Sequence, residues 1–211
     1  MLLPRLIPCL LLHNGGLIKT RRFKSPKYVG DPINAVRIFN EKAADELIVL
    51  DIDATVQKRA PDYNFIAKLA NECRMPLSYG GGVTSVEQIK RIITLGVEKV
   101  CLSASAVYSA DLVSKAAAEM GSQSIAVVLD VKKTGFLRKY EVVTHNGIHR
   151  TGHDPVEFAK TLQDMGAGEI ILNSVDSDGD MQGYDLELVS KVREHVNVPM
   201  TILGGAGNYD H

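Results

Sequence analysis

The chain has 211 residues, of which 45% are hydrophobic and 23% are charged, and its formal net charge at pH 7 is −1. This length and composition are typical of one globular domain with a substantial apolar core. A nucleic-acid-binding surface needs an excess of basic residues, so the balanced charge argues against nucleic acid as a partner. No apolar run reaches the roughly 18 residues that span a membrane, and we expect no membrane association.

The amino terminus and the cysteines indicate the cellular compartment. Residues 1–12 are apolar, but two prolines and an arginine interrupt them and no small-residue cleavage site follows, so we expect no signal peptide. The cysteines lie within apolar patterns without metal-ligand spacing, and we expect buried thiols in a reducing compartment: Cys9, Cys73 and Cys101. The sequence predicts a cytoplasmic protein with no metal and no other cofactor.

Strand and helix patterns alternate along the chain. A first strand is predicted over residues 5–12, whose continuous apolar run is typical of burial on both faces. The basic connection that follows, 17–29, is interpreted either as a mobile loop that closes over an anionic ligand or as a solvated loop. Further strands are predicted over 47–51, 77–78, 100–103, 124–130, 170–173 and 200–203, and helices over 31–43, 62–73, 85–96, 110–120, 154–165 and 185–195. Residues 132–149 are predicted to form an inserted β-hairpin.

Two glycine-rich loops each follow an apolar strand. Residues 78–83 are Ser-Tyr-Gly-Gly-Gly-Val, and residues 201–207 are Thr-Ile-Leu-Gly-Gly-Ala-Gly. Backbone N–H groups at a helix N-terminus bind anions, and glycine lets the main chain approach an oxygen closely. A tight turn is the alternative explanation for one glycine run. Two such loops predict a substrate with a phosphate at each end.

The loops belong to an internal repeat, because residues 44–53 (ADELIVLDID) are echoed by residues 167–176 (AGEIILNSVD). Chance similarity between short apolar strands is the alternative. Alternating strands and helices predict a parallel sheet, and acids and glycines after the strands indicate one catalytic rim, as in a (β/α)8 barrel. We therefore predict a single α/β domain over residues 1–211, a TIM barrel that is truncated after its seventh strand and lacks the C-terminal β/α unit. An open doubly wound sheet is the alternative fold.

A combination of short motifs spread over the whole chain indicates a family. These motifs are Ile7-Pro8-Cys9-Leu10, Gly30-Asp31-Pro32, Ala44-Asp45-Glu46-Leu47, Tyr79-Gly80-Gly81-Gly82, Gly166-Ala167-Gly168-Glu169-Ile170, Asp176-Ser177-Asp178-Gly179-Asp180, Gly183-Tyr184-Asp185 and Gly204-Gly205-Ala206-Gly207. Together they closely resemble the cyclase subunit of imidazole glycerol phosphate synthase, from histidine biosynthesis. The resemblance implies a barrel made by half-barrel duplication, which agrees with the repeat. It also implies a heterodimer with a glutaminase subunit, whose ammonia reacts with a small-molecule substrate carrying two phosphates to form an imidazole ring and an aminoimidazole ribotide.

The resemblance assigns phosphate binding to both glycine loops. One site would contain Gly81, Gly82 and Ser103, and the other would contain Asp178, Gly179 and Gly205. Residues 103–104 are Ser-Ala where the family has Asn-Thr, which reduces the hydroxyl and amide contacts available there. Lys19 matches the family's loop lysine, which favours closure of the basic connection over substrate.

The resemblance also implies an ammonia gate, a ring of four charged residues matched here by Arg5, Glu46, Lys99 and Glu169. Charges at the mouth of a barrel core are costly unless paired, so two acids and two bases are physically compatible. A salt-bridge plug that only stabilises the barrel bottom is the alternative. Glu98 stands where the family has an acid facing its glutaminase.

The catalytic positions depart from the family, which uses two carboxylates at the ends of the first and fifth strands. Asp130 matches the second, but Leu11 occupies the first, and leucine cannot transfer a proton. Asp51, Asp53 or Asp176 could substitute, although each ends a different strand and misplacement is costly. A buried, paired Asp130 without a catalytic role is the alternative.

Three functional hypotheses follow. The first is an ammonia-using synthase subunit acting on another substrate, as in family relatives thought to convert an acetamido sugar to an acetamidino sugar in surface-polysaccharide synthesis. The second is a genuine histidine-pathway cyclase with a displaced acid. The third is a non-enzymatic partner that activates or stabilises a glutaminase.

Overall fold

A computed structural model describes residues 4–208 and 210–211 of the chain. The helices of this part are α1 (Pro32–Glu41), α2 (Tyr63–Glu72), α3 (Val86–Thr94), α4 (Ala104–Tyr108), α5 (Asp111–Met120), α6 (Pro155–Asp164) and α7 (Leu186–Arg193), with a 3₁₀ turn at Ser122–Ser124. The strands are β1 (Cys9–His13), β2 (Gly16–Arg21), β3 (Lys24–Gly30), β4 (Leu47–Asp51), β5 (Leu77–Gly80), β6 (Lys99–Leu102), β7 (Ile125–Thr134), β8 (Lys139–Thr144), β9 (His149–Arg150), β10 (Glu169–Ser174) and β11 (Met200–Leu203).

The chain divides into two compact units. The first comprises residues 1–19 and 27–101, and the second comprises residues 20–26 and 102–211. In the first unit β1, β4, β5 and β6 pair in that order, all parallel, and β2 pairs antiparallel with β1. In the second unit β7, β10 and β11 pair in parallel, and β8 and β9 extend the sheet from β7 as antiparallel strands. Four parallel strands and three parallel strands make up the seven that the sequence predicts.

Local sequence explains where the helices begin. Asp31, Asp62, Ser85, Asp154 and Asp185 each precede a helix and accept a hydrogen bond from a backbone N–H of its first turn. Such side-chain caps satisfy N–H groups that have no partner within the helix. Two of these helices also have proline in the first turn, where its missing N–H has no cost.

The central strands are buried along their length. In β10 all six residues are buried, and in β7 the first five are buried. Parallel strands covered on both faces have such continuous apolar runs, because helices pack on the outside. Together with the alternation of strands and helices, this confirms the predicted fold class, an α/β fold of the (β/α)8-barrel type.

The basic connection was the main error of the sequence-based prediction. Residues 17–29 lie mostly in β2 and β3 rather than in a loop, with Leu17 and Ile18 buried against the core. The predicted inserted hairpin is confirmed as β8 and β9, although β9 extends to Arg150. The first strand begins at Cys9, four residues later than predicted, and α4 has no counterpart in the prediction.

The cysteine prediction is correct in part. All three cysteines are reduced thiols, but of the three only Cys101 is buried, and Cys9 and Cys73 are half-buried. Partial burial raises the pKa of the Cys73 thiol. Among the described residues, no helix combines the length and the apolar character that a membrane crossing requires.

Candidate functional site

Asp51 organises the loop that follows β4. Its buried carboxylate accepts hydrogen bonds from Arg59 Nη2 at 3.0 and 2.8 Å, one to each oxygen. The backbone N–H groups of Asp53 and Ala54 also donate to Oδ1, both at 3.1 Å. Because a guanidinium and two amides hold this carboxylate, its contacts suit a structural role better than proton transfer.

Asp53 contacts the end of β1. Its Oδ1 lies 2.7 Å from His13 Nδ1, and its Oδ2 accepts a hydrogen bond from the backbone N–H of Asn14 at 2.7 Å. Asn14 Nδ2 in turn lies 3.0 Å from His13 Nε2. Leu11, at the position of the family's first catalytic acid, is half-buried and lies on the same face of β1 as His13, two residues further on. A histidine and an aspartate therefore meet at the carboxyl end of the strand whose expected acid is leucine.

The first glycine loop is tightly packed. Gly81 and Gly82 have φ angles of 123° and 71°, in the region that only glycine adopts freely. A Cβ on Gly81 would lie 2.4 Å from the backbone oxygen of Asp51, so no larger residue fits. The loop leads into α3, where Thr84 N donates to Gln88 Oε1 at 2.7 Å. The structure thus explains why glycine is required at these two positions, and the assignment of phosphate to the loop stays a prediction.

Ser103, which the resemblance groups with that loop, belongs to the second unit and begins the short helix α4. Gly81 and Gly82 belong to the first unit, so the grouping of these three residues stays a prediction. Lys19 is exposed on β2 and Glu98 is exposed immediately before β6.

The second candidate phosphate loop anchors the basic segment 20–26. Asp178 Oδ2 accepts a hydrogen bond from Thr20 Oγ1 at 2.7 Å, and its backbone oxygen accepts one from Arg22 N at 2.8 Å. A Cβ on Gly179 would lie 2.2 Å from the backbone oxygen of Thr20. Gly205 packs equally closely, because a Cβ there would lie 2.0 Å from the backbone oxygen of Gly183.

Ion pairs strengthen this anchor. The side chain of Asp180 is 10% exposed and pairs with both Arg21 and Arg22. Arg22 Nη2 lies 2.6 Å from Asp180 Oδ2. The two guanidinium groups lower the pKa of the Asp180 carboxyl. The segment that the sequence suggested to be a mobile basic loop is thus tied to the loop after β10.

Asp130, the matched catalytic carboxylate, has an unusual environment. It lies half-buried in β7, and Asn173 Nδ2 on β10 donates to its Oδ1 at 2.9 Å. Burial raises the pKa of Asp130 to about 6, the Asn173 hydrogen bond opposes that shift, and the charge of Asp178 adds to it. A carboxyl group that titrates near neutral pH is suited to give and take protons. The opposite atom of the amide, Asn173 Oδ1, is the buried side-chain polar atom of the described chain that has no hydrogen-bond partner.

Three of the four predicted gate residues form one charged cluster in the first unit. Glu46, which is 2% exposed, lies 2.9 and 3.0 Å from Lys99 Nζ and 2.7 Å from Arg5 Nη1. Ser78 Oγ donates to the same carboxylate at 2.9 Å. All four lie at or near the amino ends of β4, β5 and β6 or before β1. We call Arg5, Glu46, Ser78 and Lys99 the charged cluster.

The fourth gate residue repeats part of this arrangement in the second unit. Glu169 is 4% exposed and accepts a hydrogen bond from Thr201 Oγ1 at 2.5 Å. Its sequence offset from Glu46 is 123 residues, which is also the offset between Ser78 and Thr201. The same offset relates Gly81 to Gly204, whose added Cβ would lie 2.5 Å from the backbone oxygen of Ser174. The internal repeat therefore extends to individual hydrogen bonds and glycine contacts.

Sequence reasoning missed three polar residues at strand ends and in the loops after them: Arg59 and His13 in the first unit and Asn173 in the second. Arg59 gave no signal, because its pairing with Asp51 depends on loop conformation. His13 ends the mostly half-buried strand β1, and Asn173 lies near the end of the buried strand β10, positions where polar residues could have been flagged. Within residues 4–208 and 210–211, no group of three or more His, Cys, Asp or Glu side chains could hold a metal ion.

Comparison with known proteins shows the family of the chain. Residues 5–211 match the family described as Histidine biosynthesis protein. The chain is 55% identical over 208 residues to a putative imidazole glycerol phosphate synthase subunit HisF from Leptospira interrogans, covering 99% of this chain and 82% of that protein.

Two further relatives have numbered HisF names. The chain is 53% identical to the putative imidazole glycerol phosphate synthase subunit hisF3 of Vibrio vulnificus strain YJ016, covering 100% of this chain and 81% of that protein. It is 48% identical to the corresponding subunit hisF2 of Pseudomonas aeruginosa, covering 97% of this chain and 81% of that protein. The chain belongs to the histidine biosynthesis protein family and is a HisF-like cyclase-subunit homologue within it.

Proposed function

We propose that the chain is the ammonia-using synthase subunit of a glutamine amidotransferase complex. The main support is the charged cluster, in which one buried carboxylate joins a lysine and an arginine at the amino ends of the strands. Buried charges are costly unless they are paired, so such a cluster is retained where charge has a use. Ammonia and ammonium interact favourably with carboxylates and need a polar path through an apolar core. The family resemblance assigns this role to the cluster and extends it to Glu169.

The complex would consist of this chain and a glutaminase subunit, as a heterodimer in the cytoplasm. The relatives are named as subunits, which agrees with a second chain. Glu98 is exposed beside Lys99 and before β6, so it is available to a partner at the end of the strands where ammonia would enter. The substrate is a small molecule with phosphate groups, bound by Gly81, Gly82 and Ser103 and by Asp178, Gly179 and Gly205, with Lys19 over it.

The acceptor is proposed to differ from that of the histidine pathway. Leu11 cannot act as an acid or base, while Asp130 retains a carboxyl whose pKa is about 6. A reaction that needs two carboxylates would lose one of them. Conversion of an acetamido group to an acetamidino group, in which ammonia replaces the carbonyl oxygen and that oxygen leaves as water, needs a different set of proton transfers. We therefore favour an acetamido sugar of surface-polysaccharide synthesis as acceptor, with an acetamidino sugar as product.

Complementation distinguishes this proposal from a histidine-pathway cyclase. A full-length version of the chain, expressed with its glutaminase, is expected not to restore growth of an auxotroph that lacks its own cyclase subunit, although circular dichroism shows folded protein. Robust growth without histidine would support the histidine-pathway alternative and contradict the acetamido-sugar proposal. The non-enzymatic alternative predicts that stimulation of the glutaminase survives Asp130→Asn while no substrate of either class is converted.

A further inference from the structure

We propose that His13, oriented by Asp53, is a proton-transfer group of the reaction that this chain performs; the inference rests on the synthase function proposed above. His13 is the last residue of β1, and its side chain is 36% exposed, whereas that of Asp53 is 9% exposed. The imidazole thus reaches solvent at the carboxyl end of the strand, where barrel enzymes place their chemistry. The carboxylate behind it is shielded from water.

The hydrogen bonds determine which ring nitrogen is basic. An ionised carboxylate only accepts hydrogen bonds, so the 2.7 Å contact with Asp53 Oδ1 places the proton of a neutral ring on His13 Nδ1. Nε2 then carries the lone pair of the neutral ring, and it accepts a hydrogen bond from the Asn14 amide at 3.0 Å. Because the Asn14 side chain is exposed, a donor group of a bound substrate can replace that amide. A base held by a buried carboxylate is the arrangement by which enzymes orient histidine.

Comparison of the two halves of the internal repeat indicates that the contact between His13 and Asp53 is more than structural. Asp176 is the counterpart of Asp53 at the offset of 123 residues, and its Oδ2 accepts a hydrogen bond from the backbone N–H of Lys133 at 2.8 Å. Asp53 Oδ2 does the same for Asn14 N at 2.7 Å. Anchoring the main chain therefore needs one carboxylate oxygen in each half. In the first half the second oxygen holds the imidazole.

The proton-transfer step is balanced without another reactant. An N–H or O–H group of the bound substrate gives its proton to His13 Nε2, the bond to hydrogen breaks, and its electron pair stays on the substrate atom. The imidazolium that forms is stabilised by the Asp53 carboxylate. Nε2 returns the proton to the product in a later step. Leu11 lines the same face of β1 and gives the imidazole an apolar neighbour.

Acylation by diethyl pyrocarbonate tests the basicity of Nε2 without any substrate. The full chain is treated at neutral pH, and the modification rate of each histidine is followed by mass spectrometry. His13 is expected to react at least about fivefold faster than the exposed His195, because a carboxylate-oriented imidazole is the stronger nucleophile. Asp53→Asn should remove the difference, and the matched Asp176→Asn variant should preserve it. A His13 rate no greater than that of His195, or one unchanged by Asp53→Asn, overturns the proposal.

Turnover tests the role in the reaction. In the complex with glutaminase, supplied with ammonium and an acetamido sugar bearing phosphate groups, His13→Ala and His13→Gln should lower kcat by about 100- to 10,000-fold with little change in KM. Added imidazole should restore part of the activity of His13→Ala only. Unchanged kcat, or a loss without rescue, contradicts the proton-transfer role. If the wild-type complex converts nothing, the proposed function fails, while the acylation rates still decide whether His13 Nε2 is the activated base.

Discussion

At the scale of single residues, the raised pKa of Asp130 has a cost in stability. Its pKa is raised to about 6 in the folded chain, compared with 3.8 ordinarily. Between these two values the folded state binds more protons than the unfolded state, so stability falls as the pH rises through this window. Above pH 6 the folded chain contains an ionised and partly desolvated carboxylate.

Asp130→Asn should therefore stabilise the chain near pH 7 and change its stability little near pH 4. The gain is expected to be on the order of 1 to 3 kcal/mol, because asparagine keeps an oxygen that accepts from Asn173 but has no charge to desolvate. Urea unfolding of both proteins at pH 4 and pH 7 measures the difference. An equal difference at the two pH values would show that Asp130 does not titrate as described.

At the scale of elements, the charged cluster connects three parts of the first unit. Glu46 precedes β4, Lys99 begins β6, and Arg5 lies before β1. The side chains of Glu46 and Lys99 are 3% and 11% exposed, so removal of the acid takes a paired carboxylate away from a buried cation. The interaction is therefore both a device for ammonia passage in our proposal and a constraint on where these strands begin.

Glu46→Ala should lower the free energy of unfolding by about 3 to 5 kcal/mol, whereas Glu98→Gln, at an exposed site in the same unit, should change it by less than about 0.5 kcal/mol. Urea unfolding measures both. In the complex, Glu46→Ala should also reduce glutamine-dependent turnover more than ammonium-dependent turnover, with the affinity for the phosphate-bearing substrate nearly unchanged. Equal loss of that affinity would show that the gate assignment is wrong.

Elements differ in how well their sequence predicts them. The bounds of β4 and β11 are those predicted, because these parallel strands have largely apolar runs between clear turn residues, although β4 is mostly buried and β11 half-buried. Residues 17–29 escape prediction because β3 is almost wholly exposed and contains lysines and a proline, features that protect the edge of a sheet and resemble those of a loop. The residues of the candidate site also differ in how well the sequence predicts them. Positions on strand ends were foreseeable, while the pairing of Arg59 with Asp51 depends on loop conformation that no periodicity reports.

At the scale of the whole molecule, duplication explains the common features of the two units, and their differences point to function. Both halves contain a buried glutamate bonded to a hydroxyl and a glycine loop packed against the preceding strand. In the first half Glu46 also contacts the lysine and arginine of the charged cluster, and Asp53 contacts the imidazole of His13. Only the second half has Asp130 with its raised pKa. The two halves therefore share a scaffold and differ in the polar side chains that it holds.

The central claim is that nitrogen released from glutamine by a partner is transferred by this chain to an acceptor outside histidine biosynthesis. The most direct measurement supplies the complex with amide-¹⁵N glutamine together with both candidate substrates, the acetamido sugar and the bisphosphorylated histidine-pathway substrate, and follows the label by mass spectrometry. We expect one ¹⁵N atom per molecule in the acetamidino sugar and none in an imidazole product. Label in the imidazole product, or label found only as free ammonium, would contradict the account.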